Sequence, residues 1–398
     1  MEKQPTTIET LRPYEQYLEH ELNFEGFEAI RVDIPFKYPM QLPFGEVTQR
    51  PSGWVIVSSE QNCELLFGFG EGATLDEALF TDDSGHNIAQ NASSILEVIG
   101  AEQDCTFSGA LEIIDRFIFD DGGIYPTARL AVEMSILDLL AKSKGLSIGS
   151  MIGLPEEINE VAFGKSIGAE NAYSIFSQAE AAINSGSNKI KLKVSPSSFD
   201  QVIDAITNIK KQYPNCDIMV DANGTFDLGI DSHINMLSTL DLMELVLIEE
   251  PVSRVGAVRG LESVYIFREK LPQFNTKVCL DDCLKTLDDC MEAIDRGLAQ
   301  VINIKPGRIG SFVKSLDLID WVNSRGGQVM VGGMFEATPG RCMTSILGAY
   351  CAYKGSSVVG DLSLAQERLN GDLVNTENQL QINSSGNISL PKGIGWGF

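Results

Sequence analysis

Lys189-Ile190-Lys191-Leu192-Lys193-Val194 alternates strictly between cationic and aliphatic side chains. In an extended strand successive side chains point to opposite faces, so the three lysines share one face and Ile190, Leu192 and Val194 the other. The stretch belongs to a series. From about residue 160, short apolar, β-branched runs recur at 161–168, 189–194, 217–223, 245–251, 277–283, 301–306, 328–333 and 357–362. Amphipathic segments such as 171–185, 199–213 and 310–325 lie between them. Eight strand-like runs separated by helical patterns predict parallel βαβ units that close into an α/β barrel. The apolar face of 189–194 would meet the helices and the lysines would point inward. An open doubly wound sheet is the competing arrangement, and an edge strand with its lysines in water is the competing reading of 189–194.

Polar residues stand at the ends of these runs, where apolar residues are the structural default. Asp221 follows Ile218-Met219-Val220, Glu249 follows Leu247-Ile248, Asp281 follows Cys279-Leu280, and Lys305 follows Ile302-Asn303-Ile304. Counted from Lys193, the separations are 28 (221 − 193), 28 (249 − 221), 32 (281 − 249) and 24 (305 − 281) residues. A βα unit in a barrel of ~250 residues averages about 31 residues. The five positions are therefore predicted to lie at matching heights on consecutive strands, at the C-terminal mouth. A single acid in such a place is commonly a helix cap, but five polar positions in register are not explained that way.

Three carboxylates with no cysteine or histidine among them describe a site for a hard cation, Mg²⁺ or Mn²⁺. Without a cation they would repel one another and raise their own pKa values. Such an ion can grip a substrate carboxylate and neutralise the charge that develops as the neighbouring carbon loses its proton. The lysines would move that proton. Lys193 beside Lys191 forms a like-charge pair, expected to lower the pKa and free an amine as base. Lys305 would arrive from the other flank, so that the two amines face opposite sides of the reacting carbon.

Composition bounds the alternatives. The 398 residues carry 30 Lys and Arg against 55 Asp and Glu, a net charge of −25, which argues against nucleic acid and anionic membranes as partners. The length suits a barrel with an accessory module. No run of 18 apolar residues occurs, and residues 1–7 lack the apolar core of a signal peptide, so no membrane span and a cytoplasmic location are expected. The eight cysteines form no CxxC pair, and Cys279, Cys283 and Cys290 lack zinc-site spacing; all are expected to be reduced, structural thiols. Residues 27–72 read as antiparallel strands at 27–35 and 53–59, and 76–100 and 126–146 as helices, an α+β module.

Together these residues resemble the enolase superfamily, in its muconate-lactonizing subgroup, over nearly the whole chain. Asn303-Ile304-Lys305-Pro306-Gly307-Arg308-Ile309-Gly310 and Gly332-Gly333-Met334-Phe335-Glu336-Ala337-Thr338-Pro339-Gly340-Arg341 are similar to the branch of o-succinylbenzoate synthases and N-succinylamino acid racemases, as are Asp221-Ala222-Asn223 and Val359-Gly360-Asp361-Leu362-Ser363. The resemblance implies a (β/α)7β-type barrel catalytic domain over 156–364 and an α+β capping domain over 27–155, which the tail 365–398 would rejoin. An N-terminal extension, 1–26, would precede them, with Leu11, Tyr14, Leu18 and Leu22 at helical spacing. It also implies Asp221, Glu249 and Asp281 as metal ligands, Lys193 as base, Lys305 as its opposing partner and Lys191 as electrostatic support. Ser166, Asn223, Asp282, Gly333, Met334 and Glu336 are the candidate contacts to a small carboxylate substrate. The loop 39–47 is expected to close over that substrate, although it lacks the family's usual hydroxyl residue. Ala337-Thr338-Pro339 stands where the branch usually has small residues.

The activity so implied is metal-assisted removal of a proton α to a carboxylate. Its first form is an o-succinylbenzoate synthase-type dehydration, a step of menaquinone biosynthesis. The alternative is racemisation of an N-acylamino acid or epimerisation of a dipeptide by the same residues. A Schiff-base aldolase is a third reading, disfavoured by three acids in register. Arg308 is expected to lower the pKa of Lys305 and so favour a two-base reaction. His20, His86 and His233 lie away from the strand ends, unlike the histidine bases of the mandelate-racemase subgroup. Gly68-Phe69-Gly70-Glu71-Gly72 lacks nucleotide-loop spacing and is expected to be a strand turn. Arg341 is expected either to orient an anion or to cap a helix. The oligomeric state is left open, a homo-oligomer included.

Overall fold

The computed structural model describes residues 12–42, 45–61, 63–78, 81–168, 171–255 and 258–398. Leu11, and Pro43 and Phe44 of the expected 39–47 loop, lie outside the described residues.

The N-terminal part is an antiparallel sheet of β1 (Phe24–Leu42), β2 (Gly45–Gln61) and β3 (Glu64–Ala73), with Phe27 opposite Val57 and Pro35 opposite Gln49. Helices α1 (Ile88–Ala101), α2 (Phe107–Arg116) and α3 (Pro126–Ser143) cover it. Val132, Met134, Ile136 and Leu140 are all fully buried, so α3 is buried around its whole girth, as a central core helix must be. The expected turn at 68–72 is instead a straight part of β3. Its alternate glycines face α3, where a Cβ on Gly70 would lie 1.9 Å from the Ala131 oxygen and one on Gly68 2.1 Å from the Ser135 oxygen. Only a strand without side chains on that face can lie so close to a helix. The helix expected across 11–22 reduces, among the described residues, to a 3-10 turn at Pro13–Tyr17. Its chain then turns into a bridge between Glu21 and Thr106, so the backbone groups that would extend the helix pair elsewhere.

The C-terminal part contains seven parallel strands: β4 (Lys165–Ile167), β5 (Lys189–Lys193), β6 (Asp217–Asp221), β7 (Ile248–Glu249), β8 (Val278–Leu280), β9 (Val301–Ile304) and β10 (Gln328–Val331). Helices α4 (Ala172–Asn184), α5 (Phe199–Gln212), α6 (Asp231–Asp241), α7 (Leu261–Lys270), α8 (Leu287–Asp295) and α9 (Phe312–Ser324) alternate with them, and α10 (Thr338–Tyr353) follows β10. Each strand bonds to the next in chain order. A doubly wound sheet would reverse direction partway, so the barrel reading stands. The eighth run, 357–362, pairs in no strand ladder. Gly360 presses its bare Cα side onto β10, where a Cβ would lie 2.0 Å from the Val331 oxygen, and Gly360 O accepts from Gly164 N–H at 2.8 Å. An extended segment thus takes the place of the eighth strand.

Strand parity divides the barrel wall. Ile190, Leu192, Val220, Ile248, Leu280 and Ile302 face outward into the main core with the helices. Met219, Leu247, Cys279, Val301, Met330 and Val358 form a separate buried cluster inside. Asp221, Glu249 and Asp281 each lie two residues beyond a member of that inner plug, on the same face. An apolar floor therefore underlies the polar layer at the mouth.

Buried carboxylates join the two parts at helix N-termini, where unpaired N–H groups and the helix dipole favour an anion. Glu71 accepts from Ala337 N–H and Gly340 N–H at 2.8 Å each, beside Arg50 at 2.7 Å. Glu133 of α3 accepts from Phe312 and Val313 N–H at 2.7 and 2.9 Å. The tail reaches the same helix: Trp396, fully buried, donates its ring N–H to Met134 O at 3.0 Å and its backbone N–H to Asp138 Oδ1 at 2.9 Å. All eight cysteines are free thiols, Cys63 alone being exposed. Among the described residues no helix is long and apolar enough to cross a membrane.

Candidate active site

Register fixes which side chains meet. Lys193 lies opposite Asp221, and Asp221 opposite Glu249. The ladder then climbs. Glu249 pairs with Cys279, two residues before Asp281, and Leu280 pairs with Ile302, which brings Asp281 level with Asn303. Lys305 lies two residues further on. Each step is even, so every one of these side chains keeps the inward face. The expected equal heights are a rising series instead, because closing a tilted barrel requires stagger between strands.

Lys191, 2% exposed, has its Nζ 2.8 Å from Glu249 Oε2, 2.8 Å from Asp361 Oδ2 and 3.7 Å from Asp221 Oδ2. Burial opposes its charge, but Asp361, Glu249 and Asp221 outweigh it and raise the pKa well above the usual lysine value. This overturns the premise of a bare like-charge pair with Lys193: the Lys191 charge is already offset by three carboxylates. Lys193 is half exposed and donates to Asn223 Oδ1 at 2.9 Å, with Asp221 at 3.8 Å.

On the far side, Lys305 donates to Asp281 Oδ2 at 2.6 Å and lies 3.5 Å from Asp282. Arg308 donates to Asp281 Oδ1 at 3.0 Å and to Asp282 Oδ1 at 2.6 Å. Burial lowers the Lys305 pKa, but Asp281 and Asp282 raise it above the ordinary value, and Arg308 offsets only part of that. Arg308 thus pulls the Lys305 pKa down, as expected, but Asp281 and Asp282 outweigh it, so the net shift is upward. Burial would raise Asp281, yet Lys305 and Arg308 hold it below the usual carboxylate range. Glu249 is the converse: burial raises it, and Asp221, Asp281 and Asp361 add to the shift against Lys191, so that it stands well above a normal glutamate.

The remaining candidates divide. Ser166 lies opposite Lys191 in the ladder and shares its inward face. Asn223, at φ +42, and Asp282 touch the two lysines. Gly333, Met334 and Glu336 shape the loop after β10: Glu336 accepts from Met334 N–H at 2.7 Å and lies 3.3 Å from Arg341. A Cβ on Gly333 would lie 2.3 Å from Arg341 Nη1, so the glycine makes room for that pair. Arg341 is thus paired with the carboxylate of Glu336. Thr338 and Pro339 form the first turn of α10. Three neighbours were not singled out as site residues from the sequence: Asp361, Asn303 and Glu250. Asn303 Nδ2 donates to Glu249 Oε1 at 2.8 Å, and its parity with Lys305 could have revealed it. Glu250, at φ +41, accepts from Asp281 N–H at 2.8 Å and Cys283 N–H at 3.1 Å, and burial pushes its pKa up to about 8.

Asp221, Glu249 and Asp281 offer oxygen donors only. Among the described residues no three acids, histidines or cysteines stand grouped as for a metal; Lys191 and Lys305 have each drawn a carboxylate to themselves. The donor set still fits a hard divalent cation. Asp361 Oδ1 and Asn303 Oδ1, beside these acids, are buried without a hydrogen-bond partner.

Residues 175–398, more than half of the chain, match the family described as Enolase C-terminal domain-like. The chain belongs to the enolase superfamily. This enolase-superfamily chain is 25% identical over 381 residues to an o-succinylbenzoate synthase of Enterococcus faecalis, covering 94% of this chain and 95% of that one. It is 27% identical over 380 residues to an N-succinylamino acid racemase of Thermus thermophilus, covering 94% of each. Among solved structures, an enolase-superfamily member from Enterococcus faecalis superposes with a TM-score of 0.80 at 22% identity, over 95% of both chains. A dipeptide epimerase from the same organism, in complex with Mg and the dipeptide L-Leu-L-Tyr, gives 0.78 at 19% identity, over 94% of this chain and 99% of that one. The protein is an enzyme of a superfamily whose chemistry is proton abstraction, on the barrel-plus-cap architecture expected from the sequence.

Proposed function

We propose that this enzyme removes the proton α to the carboxylate of a small substrate, using Lys193 and Lys305 on either flank of Asp221, Glu249 and Asp281. One observation carries the reading: the two amines stand at opposite ends of the acid series, Lys193 beside Asp221 and Lys305 beside Asp281. The three carboxylates would hold Mg²⁺ or Mn²⁺, which when bound supplies Lewis-acid stabilisation of the charge that develops as the proton leaves.

The two amines are unequally engaged. Lys193 reaches solvent and its nearest partner is the neutral amide of Asn223, so its nitrogen can turn to the substrate. Lys305 is held between two carboxylates as a cation. That asymmetry suits a dehydration, in which one amine takes the α-proton and returns it to the departing hydroxyl, which leaves as water, while the other stays charged. Lys191 holds Glu249 and Asp361 in position throughout. We read the activity as o-succinylbenzoate synthase-type, forming the aromatic ring of a menaquinone precursor in the cytoplasm. Racemisation of an N-acylamino acid, or epimerisation of a dipeptide, is the second reading; it is favoured by the presence of a second amine opposite Lys193.

The deciding experiment incubates the protein with Mg²⁺ in D₂O, with the succinylated cyclohexadiene acid and with both enantiomers of N-acylamino acids. Dehydration of the former supports the lyase reading. Exchange of both enantiomers with no dehydration overturns it in favour of the isomerase. A borohydride-trapped substrate adduct would overturn both.

A further inference from the structure

Helix α10 begins without a cap of its own. Its N-cap residue is Ala337, whose side chain offers no acceptor, and Thr338, Pro339 and Gly340 follow. The orphan N–H groups of that first turn are met from distant parts of the chain. Glu71 of β3, 266 positions before Ala337, accepts from Ala337 N–H through Oε1 and from Gly340 N–H through Oε2, at 2.8 Å each. Asp372 of the tail accepts from Thr338 N–H at 3.0 Å, and proline has no N–H to satisfy. Arg50 of β2, fully buried like Glu71, donates to Glu71 Oε1 at 2.7 Å. A serine or aspartate at position 337 would cap the helix locally. A buried Arg–Glu pair carries a desolvation cost that capping alone does not require. What the distant cap adds is a tie between β2–β3 and the segment just before the helix.

That segment, 332–336, lies in the site. Gly332 N–H donates to Ile304 O at 3.0 Å. A Cβ on Gly332 would lie 2.6 Å from Oδ1 of Asn303, the residue whose Nδ2 holds Glu249. A Cβ on Gly307, two residues past Lys305, would lie 2.9 Å from Met334 Sδ. Phe335 stands at φ +61, a conformation that a bulky residue keeps only where its neighbours over-determine it. Those neighbours come from the N-terminal sheet: Phe36 of β1 meets the Phe335 ring edge-on, with centroids 5.9 Å apart, and Ile34 packs with Ala337. Glu336 turns back to accept from Met334 N–H at 2.7 Å. A Cβ on Gly340 would lie 2.6 Å from Glu336 Cβ, so the segment and the start of α10 are packed as one piece.

We infer that Glu71 is a positioning residue: from the N-terminal sheet it fixes the segment 332–336 against Asn303 and Gly307, and so sets how the substrate is held. The inference rests on the proposed function for the candidate substrate contacts Gly333, Met334 and Glu336. Asp221, Glu249 and Asp281 follow from strand ladders of their own. Loosening Glu71 therefore reaches the substrate and leaves the cation in place.

The test compares Glu71→Gln, which keeps the size and one acceptor oxygen, with Asp372→Asn, which loosens the same helix end from the tail. Steady-state kinetics use whichever of the succinylated cyclohexadiene acid and the N-acylamino acids wild type turns over, with saturating Mg²⁺. Glu71→Gln is expected to raise KM fivefold or more and to leave the Kd for Mg²⁺ within twofold of wild type. Asp372→Asn should leave KM within twofold. An unchanged KM in Glu71→Gln, an equal rise in Asp372→Asn, or a parallel loss of Mg²⁺ affinity overturns the inference. If Glu71→Gln does not fold, Glu71→Asp takes its place, since it keeps the charge against Arg50 and withdraws it from α10 by one bond. Should wild type turn over none of these compounds, the proposed function fails, and hydrogen exchange at the Met334 amide, which bonds Glu336 and not Glu71, still reads the positioning. Exchange tenfold faster in Glu71→Gln than in wild type and Asp372→Asn supports it. Equal exchange in wild type and Glu71→Gln, or the same gain in Asp372→Asn, overturns it.

Discussion

Asp361 and Lys191 meet across the closure of the barrel: Asp361 Oδ2 lies 2.8 Å from Lys191 Nζ, although the run that carries Asp361 forms no strand ladder. The ion pair ties the last segment of the wall to the first lysine-bearing strand. Asp361→Asn keeps the shape and removes one of the three charges that offset a buried ammonium. Breaking such a pair costs about 3 kcal/mol. The expected outcome is a lower Tm by calorimetry, together with a fall of tenfold or more in kcat/KM as Lys191 draws harder on Glu249. A variant with wild-type Tm and activity would show that the contact does neither job.

A second prediction concerns the cation. Activity should disappear with a chelator and return with Mg²⁺ or Mn²⁺. Glu249→Gln should weaken Mg²⁺ binding in titration calorimetry by at least tenfold while leaving the circular dichroism spectrum intact, because the residue sits above the apolar floor formed by Met219, Leu247 and Cys279. Full activity in buffer shown to be metal-free by elemental analysis would refute it.

The two amines can be separated by enantiomer. Lys193→Arg and Lys305→Arg keep the charge but remove a usable base, since guanidinium does not lose its proton in a protein. If both lysines act as bases, each variant exchanges the α-proton of one N-acylamino acid enantiomer, and the two variants differ in which. Should only the Lys193 variant lose exchange, Lys305 serves as a cation alone.

Glu133 supplies a prediction for stability against pH. Burial pushes its pKa up to about 7, partly countered by Ser311 and the N–H groups of Val313 and Phe312, from about 4.3 in an unfolded chain. Between those values the folded protein holds a proton that the unfolded chain does not. The resulting stability is present in full below pH ~4 and is lost as pH rises through about 7. Glu133→Gln retains an acceptor oxygen for Phe312 and Val313 without the charge. It should flatten the fall of Tm between pH 5 and about 7.5, and exceed wild-type stability above that by roughly 1–3 kcal/mol. Parallel Tm curves for the two proteins would remove Glu133 as the cause.

Much of the site was legible because strand parity writes itself into sequence. The alternation at 189–193 and the acids closing successive runs survive as Lys193, Asp221 and Glu249 on one level and Asp281 and Lys305 above them. The stagger itself was not legible, because ladder offsets appear only once strands pair. Nor was the pairing of Lys191 with Asp361, 170 positions later (361 − 191), which depends on closure. The glycines of β3 were misread because a turn and a helix-facing strand both call for glycine; only their spacing of two distinguishes them. The lowering effect of Arg308 on Lys305 was legible in sequence, but not the stronger opposite pull of Asp281 and Asp282, which only the fold brings against both cations.

The anchoring of Trp396 on α3 has a consequence for how the molecule is made. Asp138 accepts the Trp396 N–H from 258 positions away, so the helix at the heart of the N-terminal part emerges from the ribosome long before its last partner. At about 5–20 residues per second, translation leaves that surface uncovered for roughly 13 to 50 seconds. The N-terminal part therefore does not complete its packing until residue 396 has been made, and the nascent chain carries a central helix with an open flank until then.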